Sequence, residues 1–161
     1  MFKDSKLLAN INLVGKPEKY TTIPDPKTWN IDKDGAYFAY CDNETIYGVE
    51  FKDFPFELIP EEMPLVGDMS SNFLTKPVDV SKYGVIFAAA QKNLAPSQLC
   101  VNIVRKDLIG TREKTGCPSF QSWKKNFDSP SKTLNTPCVF AVYIAGLNLK
   151  YMKEQGGLAQ I

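Results

Sequence analysis

The stretch Gly84–Gln98, GVIFAAAQKNLAPSQ, decides how this chain is read. Its continuous apolar run, Val85–Ala90, reads as a buried strand. Gln91, Lys92 and Asn93 then arrive together, followed at once by a loop containing Pro96. A strand that looks wholly buried therefore ends by presenting a lysine between two amides. Taken alone, Lys92 is the place where a buried strand surfaces; the sharper reading is that its amine carries chemistry.

Working outward, Ala36–Cys41 (AYFAYC), Leu65–Met69 (LVGDM) and Leu99–Arg105 (LCVNIVR) are further strand candidates, the last a neighbour of Val85–Ala90. Asn10–Gly15 (NINLVG) and Ile46–Phe51 are shorter ones. Runs that are continuously apolar rather than alternating favour an α/β architecture with a largely parallel sheet covered on both faces. Ligands of such sheets gather at the carboxyl ends of the strands. Three strands end there on polar clusters, Asn43-Glu44-Thr45, Asp68-Met69-Ser70-Ser71 and Gln91-Lys92-Asn93, which are expected to converge on one rim.

Between the strands, Lys16–Asp34 with Pro17, Pro24 and Pro26 reads as an extended loop, as does the connection holding Pro55, Pro60 and Pro64. Lys106–Gly110 reads as a short turn, and residues 111–134 as irregular and polar. A helix follows, with Thr136 as its N-cap, Pro137 at its first position and Gly156-Gly157 as its stop. Val139, Tyr143, Gly146 and Leu147 share one face of it, widened by Phe140, Ile144 and Met152. Ser5, Leu7, Leu8 and Ala9 enter as if mid-helix, and Leu158–Ile161 reads as the first turn of something new, which suits either a compact protein or a piece of a longer one.

A chain of 161 residues fits one domain and buries about 70% of its unfolded surface. Its 43% hydrophobic and 23% charged residues are ordinary for a globular protein. Nineteen basic against 18 acidic side chains give a net charge of +1, which leaves no electrostatic footprint for nucleic acid. No apolar run approaches a bilayer span and MFKDSKLLANINL lacks a signal-peptide core, so a cytosolic location is expected. Cys41, Cys100, Cys117 and Cys138 are widely spaced and are expected to be reduced thiols rather than a disulfide framework or a zinc site. The count of zero histidines excludes histidine triads and HExxH metal centres within the chain. Acid–base work at neutral pH then falls to lysine, carboxylate, tyrosine or thiol.

Several ordered blocks resemble a known family. DMSSNFL (Asp68–Leu74), KPVDVSKYGVIFAAAQKN (Lys76–Asn93), NETIYGVEF (Asn43–Phe51) and LNTP (Leu134–Pro137) look like phosphoserine aminotransferase, and IPDPKTWN (Ile23–Asn30) and KEQGGLA (Lys153–Ala159) match in order. The resemblance implies a fold-type I enzyme dependent on pyridoxal 5'-phosphate, with residues 1–161 as one part of the large cofactor-binding domain and without the small C-terminal domain. It implies conversion of 3-phosphohydroxypyruvate and glutamate to O-phosphoserine and 2-oxoglutarate, a step of serine biosynthesis, in a homodimer without nucleic-acid or membrane partners. Lys92 becomes the catalytic lysine that holds the cofactor. Such a lysine needs a neutral amine, whereas an ordinary one, with a pKa of about 10.4, is charged at pH 7. Apolar surroundings or nearby cations favour the neutral form, and Val85–Ala90 is expected to supply the former.

The other positions follow residue by residue from the same resemblance. Asp68 pairs with the pyridine nitrogen, Gln91 helps hold the phosphate, and Thr45 bonds the ring near its hydroxyl. Asn135 and Thr136 reach the cofactor phosphate of the other subunit, at a helix N-terminus that suits an anion. Read alone, these residues are a strand end, a loop amide, a turn threonine and an N-cap. The chain departs from the family where Ala89, Ala95 and Gln98 replace usual glycines, so strain or crowding is expected around the lysine loop. Ser97 replaces another small residue, and Tyr47 stands where histidine is common. Family members are more than twice this length, so a truncated and inactive relative that at most pairs with a complete subunit is the alternative expectation; a cofactor-free α/β binding module is a third.

Overall fold

The computed structural model describes residues 5–111, 113–131, 133 and 135–161. Its main sheet is built from β1 (Phe38–Cys41), β4 (Leu65–Asp68), β5 (Val85–Ala89) and β6 (Cys100–Val104), in the order β1-β4-β5-β6. A small hairpin, β2 (Asn43–Glu44) with β3 (Val49–Glu50), extends from the end of β1. Strands β1, β4 and β5 are parallel, with Cys41 opposite Asp68 and Asp68 opposite Phe87. The mostly parallel sheet expected from the apolar runs is therefore present. Strand β6 runs antiparallel to β5, because residues 90–99 form a reversing turn rather than the longer crossover that parallel pairing needs.

The pleat sorts the strands into two faces. Phe38, Tyr40, Leu65, Gly67, Ile86 and Ala88 point to one side, where Ile86 is 2% exposed and Ala88 fully buried. Aromatic side chains from the proline-rich connections close over them: Trp29 stacks on Phe38 at 5.8 Å, and Phe54 lies 4.1 Å from Tyr40. Each fully buried large side chain here contributes about 1.5–3 kcal/mol, which is why the loops that look irregular in sequence are fixed in place. Gly67 is required on this face, since a Cβ there would come within 3.0 Å of the Tyr83 ring.

The opposite face differs from expectation. Ala39, Cys41, Val66, Asp68, Phe87 and Ala89 are exposed or half-buried, so the sheet is not covered equally on both sides. Continuity of the run in β5 encodes two apolar faces, but in this chain only one is fully packed.

Four local expectations are corrected. Asn10–Gly15 is not a strand; one backbone bond, from the Asn30 N–H to the Val14 carbonyl at 3.1 Å, ties it down instead of a ladder. Ile46–Phe51 shrinks to Val49–Glu50, because the Glu44 carboxylate accepts from the N–H groups of Ile46 and Tyr47 and Gly48 turns the chain at φ +66°. Residues 111–134 include a short helix, Trp123–Asp128, capped by Ser122, whose hydroxyl accepts from the Lys125 N–H at 3.2 Å. The final helix spans Val139–Glu154 with Cys138 as its N-cap, so Thr136 and Pro137 lie outside it. Cys138 is still extended, and the first helical bond runs from the Val142 N–H to its carbonyl. Leu134, the first residue of LNTP, lies outside the described residues, as do Met1–Asp4.

The same helix buries a different face from the one its large residues mark. Ala141 and Ala145 are its buried positions, while Val139, Phe140, Tyr143 and Leu147 are between 47% and 67% exposed. Small side chains let the helix approach the turn after β5, and the bulky stripe is left outward.

Candidate active site

The three polar clusters do converge at the carboxyl rim of β1, β4 and β5. Asn43 Nδ2 donates to Ser71 Oγ at 2.9 Å, and that hydroxyl donates to the Asn43 carbonyl at 2.6 Å. The Ala89 N–H donates to Ser70 Oγ at 3.2 Å, joining the second cluster to the end of β5. Lys92 Nζ donates to Thr45 Oγ1 at 3.2 Å, closing the third cluster onto the first. Asp68, half-buried at the tip of β4, accepts from the Ser70 N–H at 2.9 Å through Oδ1. One turn of backbone thus aims its carboxylate along the rim.

Lys92 and Gln91 are both exposed. The apolar run expected to enclose the lysine packs beneath it instead: Ile86, Ala88 and Ala90 point inward while the amine extends over the rim. Asp68 faces a cleft of about 440 Å³, bordered by Leu13, Ala39, Val66 and Phe87 on the less covered side of the sheet. A cleft of about 470 Å³ at the other end of the strands, lined by Ala36, Pro64, Val85 and Trp123, contains none of the candidate residues. Asn135 and Thr136 are exposed ahead of the long helix; among the described residues no hydrogen bond joins them to Lys92, Thr45 or Asp68. Tyr47 stacks against Tyr20 with ring centroids 6.1 Å apart.

Of the three glycine replacements, only Gln98 sits in the left-handed region, at φ +81°. A side chain there costs about 1–2 kcal/mol of local strain, whereas Ala89 and Ala95 are free of it. The strain expected in the lysine loop is thus confined to its far end.

Beneath the rim lies a polar network that sequence reasoning missed. Asp42, 4% exposed, accepts from Asn72 Nδ2 and from the Tyr40 hydroxyl at 3.1 Å, and faces Lys76 Nζ at 3.5 Å. Asn72 also donates to Glu50 at 2.8 Å, and Lys76 bonds Glu50 at 3.1 Å and the Phe51 carbonyl at 2.9 Å. Both amide hydrogens go to carboxylates, and among the described residues the buried Asn72 Oδ1 has no partner. The network links β1, β3, the turn after β4 and the loop at Lys76, so it holds the rim turns against one another. Period-two alternation was the available signal: Phe38, Tyr40 and Asp42 share a face, so Asp42 must point inward.

Charge in the network shifts its titration. The Asn72 hydrogen bond and Lys76 hold Glu50 below its ordinary value despite some desolvation. Burial pulls Lys76 down, but its bond to Glu50 and the charges of Asp42 and Glu50 outweigh this and raise it. Burial above all, then the bond to Tyr83 and the charge of Asp42, pushes Tyr40 far up; burial also raises Tyr83. A raised folded-state value means stability that is complete below the unfolded value, about 10 for tyrosine, and is lost as pH rises beyond it. Denaturation midpoints should therefore hold to about pH 10 and then fall. Tyr40→Phe should cost about 1 kcal/mol near neutrality through its lost hydrogen bonds, yet flatten that alkaline fall. An equally steep fall in the variant would show that Tyr40 is not a source of it.

Comparisons with known proteins place the chain in a family. The Aminotransferase class-V family matches residues 5–161. The chain is 48% identical over 158 residues to the phosphoserine aminotransferase of Drosophila melanogaster, covering 98% of this chain and 42% of that protein. It is 45% identical over 161 residues to the Pseudomonas fluorescens enzyme, covering 98% and 43% respectively. Among solved structures it resembles phosphoserine aminotransferase from Bacillus circulans subsp. alkalophilus, with a TM-score of 0.88, 34% identity, and 99% and 43% of the two chains covered. The phosphoserine aminotransferase of Trichomonas vaginalis, whose crystal structure has PLP bound, aligns with a TM-score of 0.86 and 39% identity over 98% of this chain and 44% of that one. The chain thus spans less than half the length of these relatives.

Proposed function

The chain belongs to the class-V aminotransferase family, and from that premise we propose that it supplies the cofactor-holding part of a phosphoserine aminotransferase, exchanging the amino group of glutamate with 3-phosphohydroxypyruvate. The observation that carries this reading is the hydrogen bond from Lys92 to Thr45 at the strand rim where β4 ends on Asp68. The donor set fits pyridoxal 5'-phosphate: an amine for its aldehyde, a hydroxyl beside that amine, and a carboxylate on the neighbouring strand for the ring nitrogen.

When bound, the cofactor supplies an electron sink for the charge left at an amino acid's α carbon. Lys92 Nζ would anchor the cofactor covalently in the resting protein and, once released, would be the base that takes the proton from the amino acid's α carbon and delivers it to the cofactor's former aldehyde carbon. Thr45 orients that amine through its 3.2 Å hydrogen bond and would bond the ring hydroxyl. Asp68, its rotamer fixed by the Ser70 N–H, would stabilise positive charge at the ring nitrogen. Gln91 would bond the phosphate, and Asn135 and Thr136 would do so from a second copy of the chain.

The proposed assembly is a homodimer, with residues 1–161 as part of one large domain. Support for it comes from the outward stripe of Val139, Phe140, Tyr143 and Leu147, which is costly to leave in water. Light scattering at micromolar concentration should report self-association; a stable monomer would remove this support. The four free thiols suit a reducing compartment, and the cytosol is the proposed location. Among the described residues, no helix is long and apolar enough to cross a membrane.

The reaction is tested by glutamate-dependent formation of 2-oxoglutarate in the presence of the cofactor. Pyruvate in place of 3-phosphohydroxypyruvate should lower the rate at least about tenfold, since a site built for a phosphate loses those bonds. Equal rates with both acceptors would sink the substrate assignment.

A further inference from the structure

Ala141, Ala145 and Asn148 recur at spacings of four and three, so they line one side of the long helix. Ala145 packs into a cluster with Ala90, Leu94 and Ala95, and the small residues on both sides bring the helix close to the lysine turn. At that distance Asn148 Nδ2 donates to two consecutive carbonyls of the turn, those of Asn93 and, at 3.1 Å, Leu94. A primary amide carries two hydrogens on one nitrogen, so a single side chain satisfies both acceptors. From the other direction, Asn93 Nδ2 donates to the Phe73 carbonyl at 3.1 Å. The turn directly after Lys92 is gripped between the helix and the segment that follows Asp68.

We infer that Asn148 is a positioning residue for Lys92: by holding the Asn93 and Leu94 carbonyls it sets the backbone from which the lysine reaches Thr45. Its functional meaning rests on Lys92 being the cofactor lysine, but the clamp itself does not. Lys92 is otherwise exposed at the tip of a turn, where a long flexible side chain samples many directions. Helix docking through Ala145 alone leaves the turn's carbonyls unheld, so the amide is the element that converts packing into a fixed direction.

The test uses the chain with Asn148→Leu, which keeps the side-chain size and removes the donors. Asn148→Ala serves as a second variant should the first misfold, and Thr45→Val removes the far end of the same arrangement. Hydrogen exchange at the amides of residues 93–95 should quicken about fivefold in Asn148→Leu, as expected for loss of a local hydrogen bond. The acetylation profile of Lys92, its rate against acetic anhydride concentration at one fixed pH, should shift in the same direction as in Thr45→Val, while other lysines keep theirs. A merely structural Asn148 would lower the melting temperature without moving the Lys92 profile, and that result would overturn the inference. Exchange unchanged from the parent would overturn it as well. Borohydride trapping with pyridoxal 5'-phosphate, run alongside, separates the two ideas: no trapping at Lys92 in the parent sinks the proposed function, while a shifted profile still upholds the clamp.

Discussion

Lys92→Ala is expected to abolish the site-specific capture of pyridoxal 5'-phosphate. In the parent, borohydride treatment after incubation with near-stoichiometric cofactor should fix the label in the peptide containing Lys92. Many other lysines are exposed, and an aldehyde reacting without a site would spread over them. What separates Lys92 is its surroundings: a hydroxyl 3.2 Å from the amine and a carboxylate at the tip of the adjoining strand. A bound cofactor raises the effective concentration of aldehyde at one amine by orders of magnitude, so a single peptide should dominate the map. Wherever turnover is seen, the same substitution should reduce formation of 2-oxoglutarate to background, because Lys92 is the proposed base for the proton. Even labelling of several lysines, or an undiminished rate in the variant, would show that the amine is only a surfacing side chain.

Asn72→Asp should destabilise the protein by about 3 kcal/mol at neutral pH, the scale of an uncompensated buried charge. The change is nearly isosteric, but it replaces the donor shared by Asp42 and Glu50 with a third carboxylate against one ammonium, that of Lys76. Asn72→Leu, which only deletes the donor, should cost about 1–3 kcal/mol. The sign with pH distinguishes them. In the aspartate variant the new carboxyl has a raised folded-state value, so its stability contribution is intact below the unfolded value, about 3.9, and is lost as pH rises. Glu50 behaves oppositely in the parent: its lowered value adds stability above about 4.3 that disappears as pH falls. Urea denaturation across pH 4 to 8 should thus show the aspartate variant approaching the parent at the acid end. A constant deficit over that range would mean that repulsion is not the cause.

Much of the architecture was legible because β4 and β5 combine short apolar runs with polar ends, and the rim follows from their being parallel. Asp68 ends β4, and Thr45 and Lys92 follow β2 and β5, so the strands mark these positions, but the roles proposed for them came only from the resemblance. The helix start was misread because Thr-Pro carries a strong capping signal, yet Cys138 stays extended after it. The buried face of that helix was misread for a related reason. Hydrophobicity ranks Phe140 and Tyr143 above Ala141 and Ala145, while close approach to the turn after Lys92 selects for small size. Asp42 and Asn72 were hidden inside polar clusters, where composition does not say which member turns inward. Gln98 shows the reverse: a missing glycine announced strain, and the left-handed backbone carries it.

The antiparallel pairing of β6 with β5 has a consequence for how the chain folds. Residues 90–99 close a local loop, with the Ala90 N–H bonded to the Leu99 carbonyl, and the ladder then zips from Ala89↔Cys100 to Val85↔Val104. Loops of that size close in about 10–100 ns, far faster than distant parallel strands find each other. Pairing of β1 with β4, by contrast, must bring together segments separated by residues 42–64 and their prolines. The turn bearing Lys92 is therefore kinetically autonomous, whereas Thr45 and Asp68 are delivered to it only when the slower, longer-range contacts form. On refolding, the turn bearing the nucleophile is expected to form first and its surroundings last.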